Sequence, residues 1–431
     1  MKVVGLITGI AILSLTILLT ACTRAESNSN KDLHTIPIAE IVISEEEREA
    51  QHLSEVLEAY QQYIEVAMDT LNLPSVAYAI VKDGKVIHQY TAGVKKVGSL
   101  DTINENTVYR IASISKSFAA VLAGVLVDKK AFDWEDKIKT LEPRFRLKTR
   151  SQTDSMTVRH ILSHTTGLRK YALSRTIQSG KSYSEVFAEL RKASIENKPG
   201  EIYSYQNAIY SAIGNVVKRK TKYSYERMLD SLIFKPLQMP NISTGYNSMM
   251  KNENRAMPHT PTDKIYWKSG DIRTKWYNVA PAAGVNASLA DMTIWLNAML
   301  GHYPEVISPQ ALEQVFEVNI PMNEDSDYYE TWAPGLTQAS YAMGWRAFLF
   351  RENKIMYHGG WVRGYRPEMA FCPKEDIGIV FLTNSNKNDL STNCMPTFFK
   401  MYFQAKEDHL KKREPINIPT IATPQSIETP K

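Results

Sequence analysis

What most limits the fold of this chain is where its β-forming segments lie: near its two ends, with a long helical stretch between them. Near the start, "SVAYAIVKDGKVIHQYTAG" holds two β-rich runs around Asp83-Gly84, a dipeptide suited to tight hairpin turns. Near the end, "KIMYHGGWVRGYRPEMAFCPKEDIGIVFLTNS" alternates extended runs with turn residues. Strands at both ends imply one sheet assembled from both termini. From Leu141 to His302 the pattern is mostly helical with long loops. The expected fold class is therefore α+β: an antiparallel sheet with flanking helices plus an inserted all-helical domain. The α/β part is expected at about 44–140 and 335–412, with the helical insertion at about 141–334.

Other elements fit this frame. Ser44 precedes Glu45, Glu46 and Glu47, the pattern of an N-cap with a capping-box acid. Leu53, Val56, Leu57, Tyr60, Ile64 and Ala67 then recur at helical spacing, so a long helix turns one face inward. A run from Asn106 to Ile111 leads into "SISKSFAAVLAGVLVDK", which reads as a buried helix, and "STNCMPTFFKMYFQAKED" reads as a closing helix.

The N-terminus carries a different signal. "MKVVGLITGIAILSLTILLTAC" has the charged start, apolar middle and small residues of a secretory leader. Its closing Leu19-Thr20-Ala21-Cys22 resembles the lipobox of bacterial lipoproteins, which implies lipidation at Cys22 and a membrane anchor. Residues 23–43 are expected to form a tether and 413–431, rich in Pro and Thr, a disordered tail. The functional domain, 44–412, is then expected in the cell envelope, outside the cytoplasmic membrane. Cys372 and Cys394 remain, as a disulfide or as two buried thiols.

Composition excludes little but is useful where it does. The net charge of +5 is spread along the chain, whereas a nucleic-acid binder concentrates basic residues on one element, so no nucleic-acid partner is expected. A small-molecule or peptide substrate and a monomeric chain are expected instead. His160 and His164 stand four apart, but no glutamate follows His160 and "HTTGL" ends the helix, so a structural role is expected and no metal. No cofactor is implied.

The chemistry-bearing stretch is "VYRIASISKSFAA", where Ser113 stands at a helix start and Lys116 one turn on, on the same face. A serine becomes a nucleophile only with a base in hydrogen-bond reach, and a lysine serves as that base only if its pKa is lowered. The pair alone is weak, since Ser248 and Lys251 repeat it. Two further motifs follow in order: Tyr205-Gln206-Asn207 and His358-Gly359-Gly360.

Together the three resemble the ordered motifs of the serine β-lactamase and penicillin-binding superfamily, closest to class C β-lactamases, D-alanyl-D-alanine carboxypeptidases and their esterase relatives. "MTVRHILSHTTGL", "PAAGVNASLADMTIWLNAML" and "YAMGWR" are also similar to segments of that branch. The resemblance implies that Ser113 attacks a carbonyl and forms an acyl-enzyme. Lys116 and Tyr205 would share the proton traffic, helped by a protonated His358, while Asn207 would hold Lys116 and the substrate. The backbone N–H groups of Ser113 and Trp361 would form the oxyanion hole, with Gly359 and Gly360 permitting close approach.

The third motif departs from the family, whose middle residue usually carries a hydroxyl that helps bind a substrate carboxylate. Gly359 has none. Arg363 or Arg366 is the candidate replacement, through a bidentate contact. The implied function is a serine hydrolase acting on a β-lactam or D-alanyl peptide amide. A carboxylesterase on small acyl esters is the alternative, and a non-turnover binding protein for penicillin or wall peptide the third reading.

Overall fold

The computed structural model describes residues 45–411 apart from 263–265, 323–326 and Lys387. The leader, Cys22, the tether, Ser44 and the tail lie outside the described residues. Among the described residues no helix is long and apolar enough to cross a membrane.

The sheet is assembled from both ends of the chain. Its strands are β1 (Ser75–Lys82), β2 (Lys85–Gly93), β3 (Ile320–Pro321), β4 (Leu336–Tyr341), β5 (Arg346–Phe350), β6 (Asn353–Gly359), β7 (Glu368–Cys372) and β8 (Ile377–Leu382). They run in the order β2-β1-β8-β7-β6-β5-β4-β3, each pair antiparallel. β1 and β2 close through Asp83 at φ 50° and Gly84 at φ 73°, the two positive values that a tight hairpin turn requires. The N-terminal hairpin then docks on the last strand, with Ala77 opposite Leu382.

Alternation along β1 and β8 divides two cores. Tyr78, Ile80, Ile379 and Phe381 face a cluster with α1 (Glu45–Thr70) and the C-terminal helix Asp389–Lys411. There Tyr60, on the apolar stripe of α1, donates to the Cys394 carbonyl at 3.1 Å. Cys372 and Cys394 are both buried thiols. On the opposite face Ala77, Ala79, Val380 and Leu382 meet the larger cluster.

Two helices of that larger cluster matter to function, α2 (Ser115–Asp128) and α3 (Leu289–Met299). α3 packs on β1 and β8, and α2 lies against it through Phe118, stacked on Trp295 at 3.9 Å, and through Trp295 Nε1 donating to Ser117 Oγ at 3.1 Å. Residues Ser115 to Leu126 are all buried, apolar from Phe118 onward apart from Gly124, so α2 is a core helix whose first turn carries the buried polar groups.

The inserted segment was expected to be all helical, and here the structure differs. Val285–Ala287 pairs with both Tyr109–Arg110 and Ser243–Thr244, and Ile320–Pro321 joins the edge of the main sheet. Strands of two or three residues carry no readable alternation, which is why they escape a pattern-based reading.

Candidate active site

The approach to Ser113 is set by a sharp backbone turn. Tyr109–Arg110 is held by the Val285–Ala287 strand, and Ile111 N–H donates to Val285 O at 3.2 Å. Ala112 then adopts φ 47°, an uncommon conformation for a residue with a side chain. Ser113 follows in the 3₁₀ turn Ala112–Ile114 that opens α2, half-buried where its neighbours are fully buried. Ser115 fixes the corner from the other side by accepting Val285 N–H at 3.0 Å.

Lys116 is wholly buried beneath that serine, its Nζ 3.5 Å from Ser113 Oγ. The same nitrogen donates to Asn207 Oδ1 at 2.7 Å and to the Ala282 carbonyl at 3.0 Å. A neutral amine has two N–H groups and one lone pair. Both N–H groups are committed to acceptors, which leaves the lone pair for the third direction, toward the Ser113 hydroxyl. Burial, and after it the Arg346 guanidinium, hold this amine well below the ordinary lysine range.

Tyr205 and Asn207 come from a loop stitched onto "SHTTGL". Ser204 N–H donates to His164 O at 2.8 Å, Ser204 Oγ to Leu168 O at 2.7 Å, and Gln206 N–H to His164 Nδ1 at 3.2 Å. These bonds bring the Tyr205 ring to 4.6 Å from Lys116 Nζ. His164, read from the sequence as structural, packs at 4.4 Å against the Tyr205 ring, and burial above all holds its pKa well below the ordinary histidine value. Among the described residues no cluster of His, Cys, Asp and Glu is suited to a metal ion.

The end of β6 closes the other side. A Cβ on Gly360 would stand 2.5 Å from Ile111 O and 3.1 Å from Ala112 Cβ, so only glycine lets this strand lie beside the turn that carries Ser113. Trp361 follows, 56% exposed. With its amide oriented to satisfy both neighbours, Asn386 accepts from Trp361 Nε1 at 3.3 Å.

His358 requires a correction. It lies beside Tyr205, ring centroids 6.5 Å apart, but is fully buried with both nitrogens engaged. Nδ1–H donates to Gly359 O at 2.9 Å, and Nε2 accepts from Tyr341 Oη at 3.2 Å, whose phenol burial keeps protonated. Burial first, then Arg346 and Lys116, push its pKa well below the ordinary histidine value. Burial thus disfavours the protonated His358 that was expected beside Tyr205.

Gly359 has a structural cause. A Cβ there would stand 2.2 Å from Glu368 Oε2 and 2.8 Å from Tyr357 Oη. Glu368 is fully buried, accepting from Tyr357 Oη and from Arg366 Nε at 2.7 Å each. Of the two arginines considered for a carboxylate contact, Arg366 is therefore engaged internally, while Arg363 is exposed on the turn after Trp361.

Sequence reasoning gave no role to Arg346, Tyr341, Glu368 or the Ala282 carbonyl, although "YAMGWR" and "PAAGVNAS" contain three of them.

Known proteins resemble this chain over most of the described residues. A family model described as Beta-lactamase matches residues 60–393. "Protein flp" from Staphylococcus aureus (strain MRSA252) is 22% identical over 319 residues, covering 73% of this chain and 60% of that protein. "Unguisins hydrolase ungD" from Aspergillus violaceofuscus (strain CBS 115571) is 22% identical over 353 residues, covering 76% and 61%. The chain thus spans about 60% of the length of these curated relatives. The octameric penicillin-binding protein homologue from Pyrococcus abyssi superposes with a TM-score of 0.68 at 21% identity, covering 81% of this chain and 76% of the other.

Proposed function

Because the chain belongs to the beta-lactamase family, its model spanning residues 60–393, we propose that it is a serine hydrolase working through an acyl-Ser113 intermediate. One observation carries this reading: Lys116 is buried 3.5 Å from Ser113 Oγ with two hydrogen bonds that account for both protons of a neutral amine. In the forward step the Ser113 proton passes to Lys116 as Oγ bonds to the substrate carbonyl carbon. The backbone N–H groups of Ser113 and Trp361 hold the developing oxyanion, the largest contribution expected of such a site. Tyr205 delivers a proton to the leaving group as the tetrahedral adduct collapses. Water then releases the acyl group by the reverse proton path.

β-Lactams and D-alanyl peptide amides are the leading substrate class. Arg363 is the carboxylate contact in this reading, and Arg363→Ala is expected to raise KM for anionic substrates and leave neutral esters unchanged. Equal loss on both would remove that role. A second reading, hydrolysis of small acyl esters, is favoured by Gly359, where Glu368 leaves no room for a side chain. Parallel assays with benzylpenicillin and p-nitrophenyl acetate, wild type against Ser113→Ala, separate the two. Turnover of neither substrate, and no Ser113-dependent adduct, would leave a binding protein rather than an enzyme.

In location, the leader ending at Cys22 supports a lipid-anchored protein of the bacterial cell envelope, with the hydrolase domain outside the cytoplasmic membrane. Metabolic labelling with a palmitate analogue that is lost in Cys22→Ala tests this.

A further inference from the structure

Four nitrogen bases crowd the floor of this pocket: Lys116, His164, His358 and Arg346, all buried. Arg346 opens β5, opposite Tyr341 of β4 and Tyr357 of β6. Its guanidinium carbon lies 5.8 Å from the centre of the Tyr205 ring, 6.0 Å from that of Tyr341 and 5.7 Å from that of Tyr357. Aromatic faces attract such a cation. They do nothing for a second one beside it.

Like charges repel strongly in a desolvated pocket, so the bases there cannot all be protonated. They differ in which can yield. Lysine and histidine shed a proton when buried, whereas a guanidinium cannot be deprotonated in a protein. Hydrogen bonding is compatible with this: both ring nitrogens of His358 can be satisfied as a neutral imidazole, and of the three partners of Lys116 Nζ two are obligate acceptors, Asn207 Oδ1 and Ala282 O, while the third, the Ser113 hydroxyl at 3.5 Å, can donate to a neutral amine. Besides phenols around Lys116, the buried Glu368 carboxyl interacts with Arg346; burial raises its pKa, and Arg346 is among the groups that pull it down. Of the phenols, Tyr205 stands beside Lys116, and Tyr210 donates to the Lys116 carbonyl at 2.7 Å.

We propose that Arg346 is a positioning residue for the reaction at Ser113: it carries the pocket's permanent positive charge, so that Lys116 stands as an uncharged amine with its lone pair toward the Ser113 hydroxyl. Its catalytic meaning rests on the serine-hydrolase reading above; the charge assignment does not. Burial followed by Arg346 is what depresses Lys116, and Arg346 is the next contribution after burial at His358. The cation expected at His358 is supplied from β5.

The test uses the full chain carrying ¹³C-lysine, with the Lys116 Cε resonance identified by its loss in Lys116→Met. Its titration is followed in wild type, Arg346→Met and Arg346→Gln, the second variant retaining polar atoms should the first fold poorly. Circular dichroism confirms the fold of each. In parallel, the rate of Ser113 acetylation by p-nitrophenyl acetate is measured against pH. The expected result is a Lys116 midpoint shifted upward in both variants, with the acid limb of the rate profile moving the same way. A purely structural Arg346 would lower the rate at every pH alike and leave the midpoint where it is. An unmoved midpoint in folded variants overturns the proposal. A shifted midpoint in a protein whose Ser113 takes no acetyl group upholds the charge assignment and overturns the hydrolase reading.

Discussion

Lys116 and Gly359 show how much of this site depends on single atoms. In the proposed mechanism, replacing Lys116 with Ala removes the group that takes the Ser113 proton, and acylation is expected to slow by about 10²- to 10⁴-fold, read from the rate of adduct formation. Near wild-type rates would mean that another group is the base. At Gly359 the added methyl of Ala meets Glu368 Oε2, so Gly359→Ala is expected to cost about 1–3 kcal/mol in urea unfolding. The cost should shrink in a Glu368→Ala background, because the two changes share one contact. Additive costs would show that the carboxylate is not what requires the glycine. The three motifs were legible because each couples a reactive residue to its neighbours in sequence. Glu368 and Arg346 were not, since their proximity to the site exists only after β5, β6 and β7 pair.

At the scale of elements, α2 carries Lys116, follows directly on the turn that holds Ser113, and is anchored on α3. Phe118 is fully buried and stacked on Trp295 of α3, and Phe118→Ala is expected to cost about 3–5 kcal/mol by chemical denaturation. A loss below about 1 kcal/mol would mean that the two helices repack without it. The helical character of α2 and of α1 could be read from apolar spacing. The hairpin at Asp83-Gly84 could be read from turn chemistry, which is local. What could not be read was the Val285–Ala287 strand, too short for alternation, although it fixes the turn that aims Ser113.

Across the whole molecule, a sheet closed by the two chain ends buries two histidines in the pocket between sheet and helices. His164 and His358 are both neutral when folded, with pKa values well below the ordinary 6.5. About one pH unit or more above 6.5 neither state binds the proton, so there the histidines make no difference to stability. As pH falls through that value the unfolded chain takes up protons that the folded one refuses, and stability drops. The melting temperature is therefore expected to decline from about pH 7.5 to about pH 5, and less steeply in His164→Asn or His358→Asn. An equal slope in the variants would assign the acid sensitivity elsewhere.

The central claim is that Ser113 is the nucleophile. Its most direct test is mass-spectrometric peptide mapping after rapid acid quench of the full chain with p-nitrophenyl acetate or benzylpenicillin. The expected result is a single acyl group on the peptide bearing Ser113, formed faster as Lys116 loses its proton and absent in Ser113→Ala. An acyl group on another residue, or one that persists in Ser113→Ala, would contradict it.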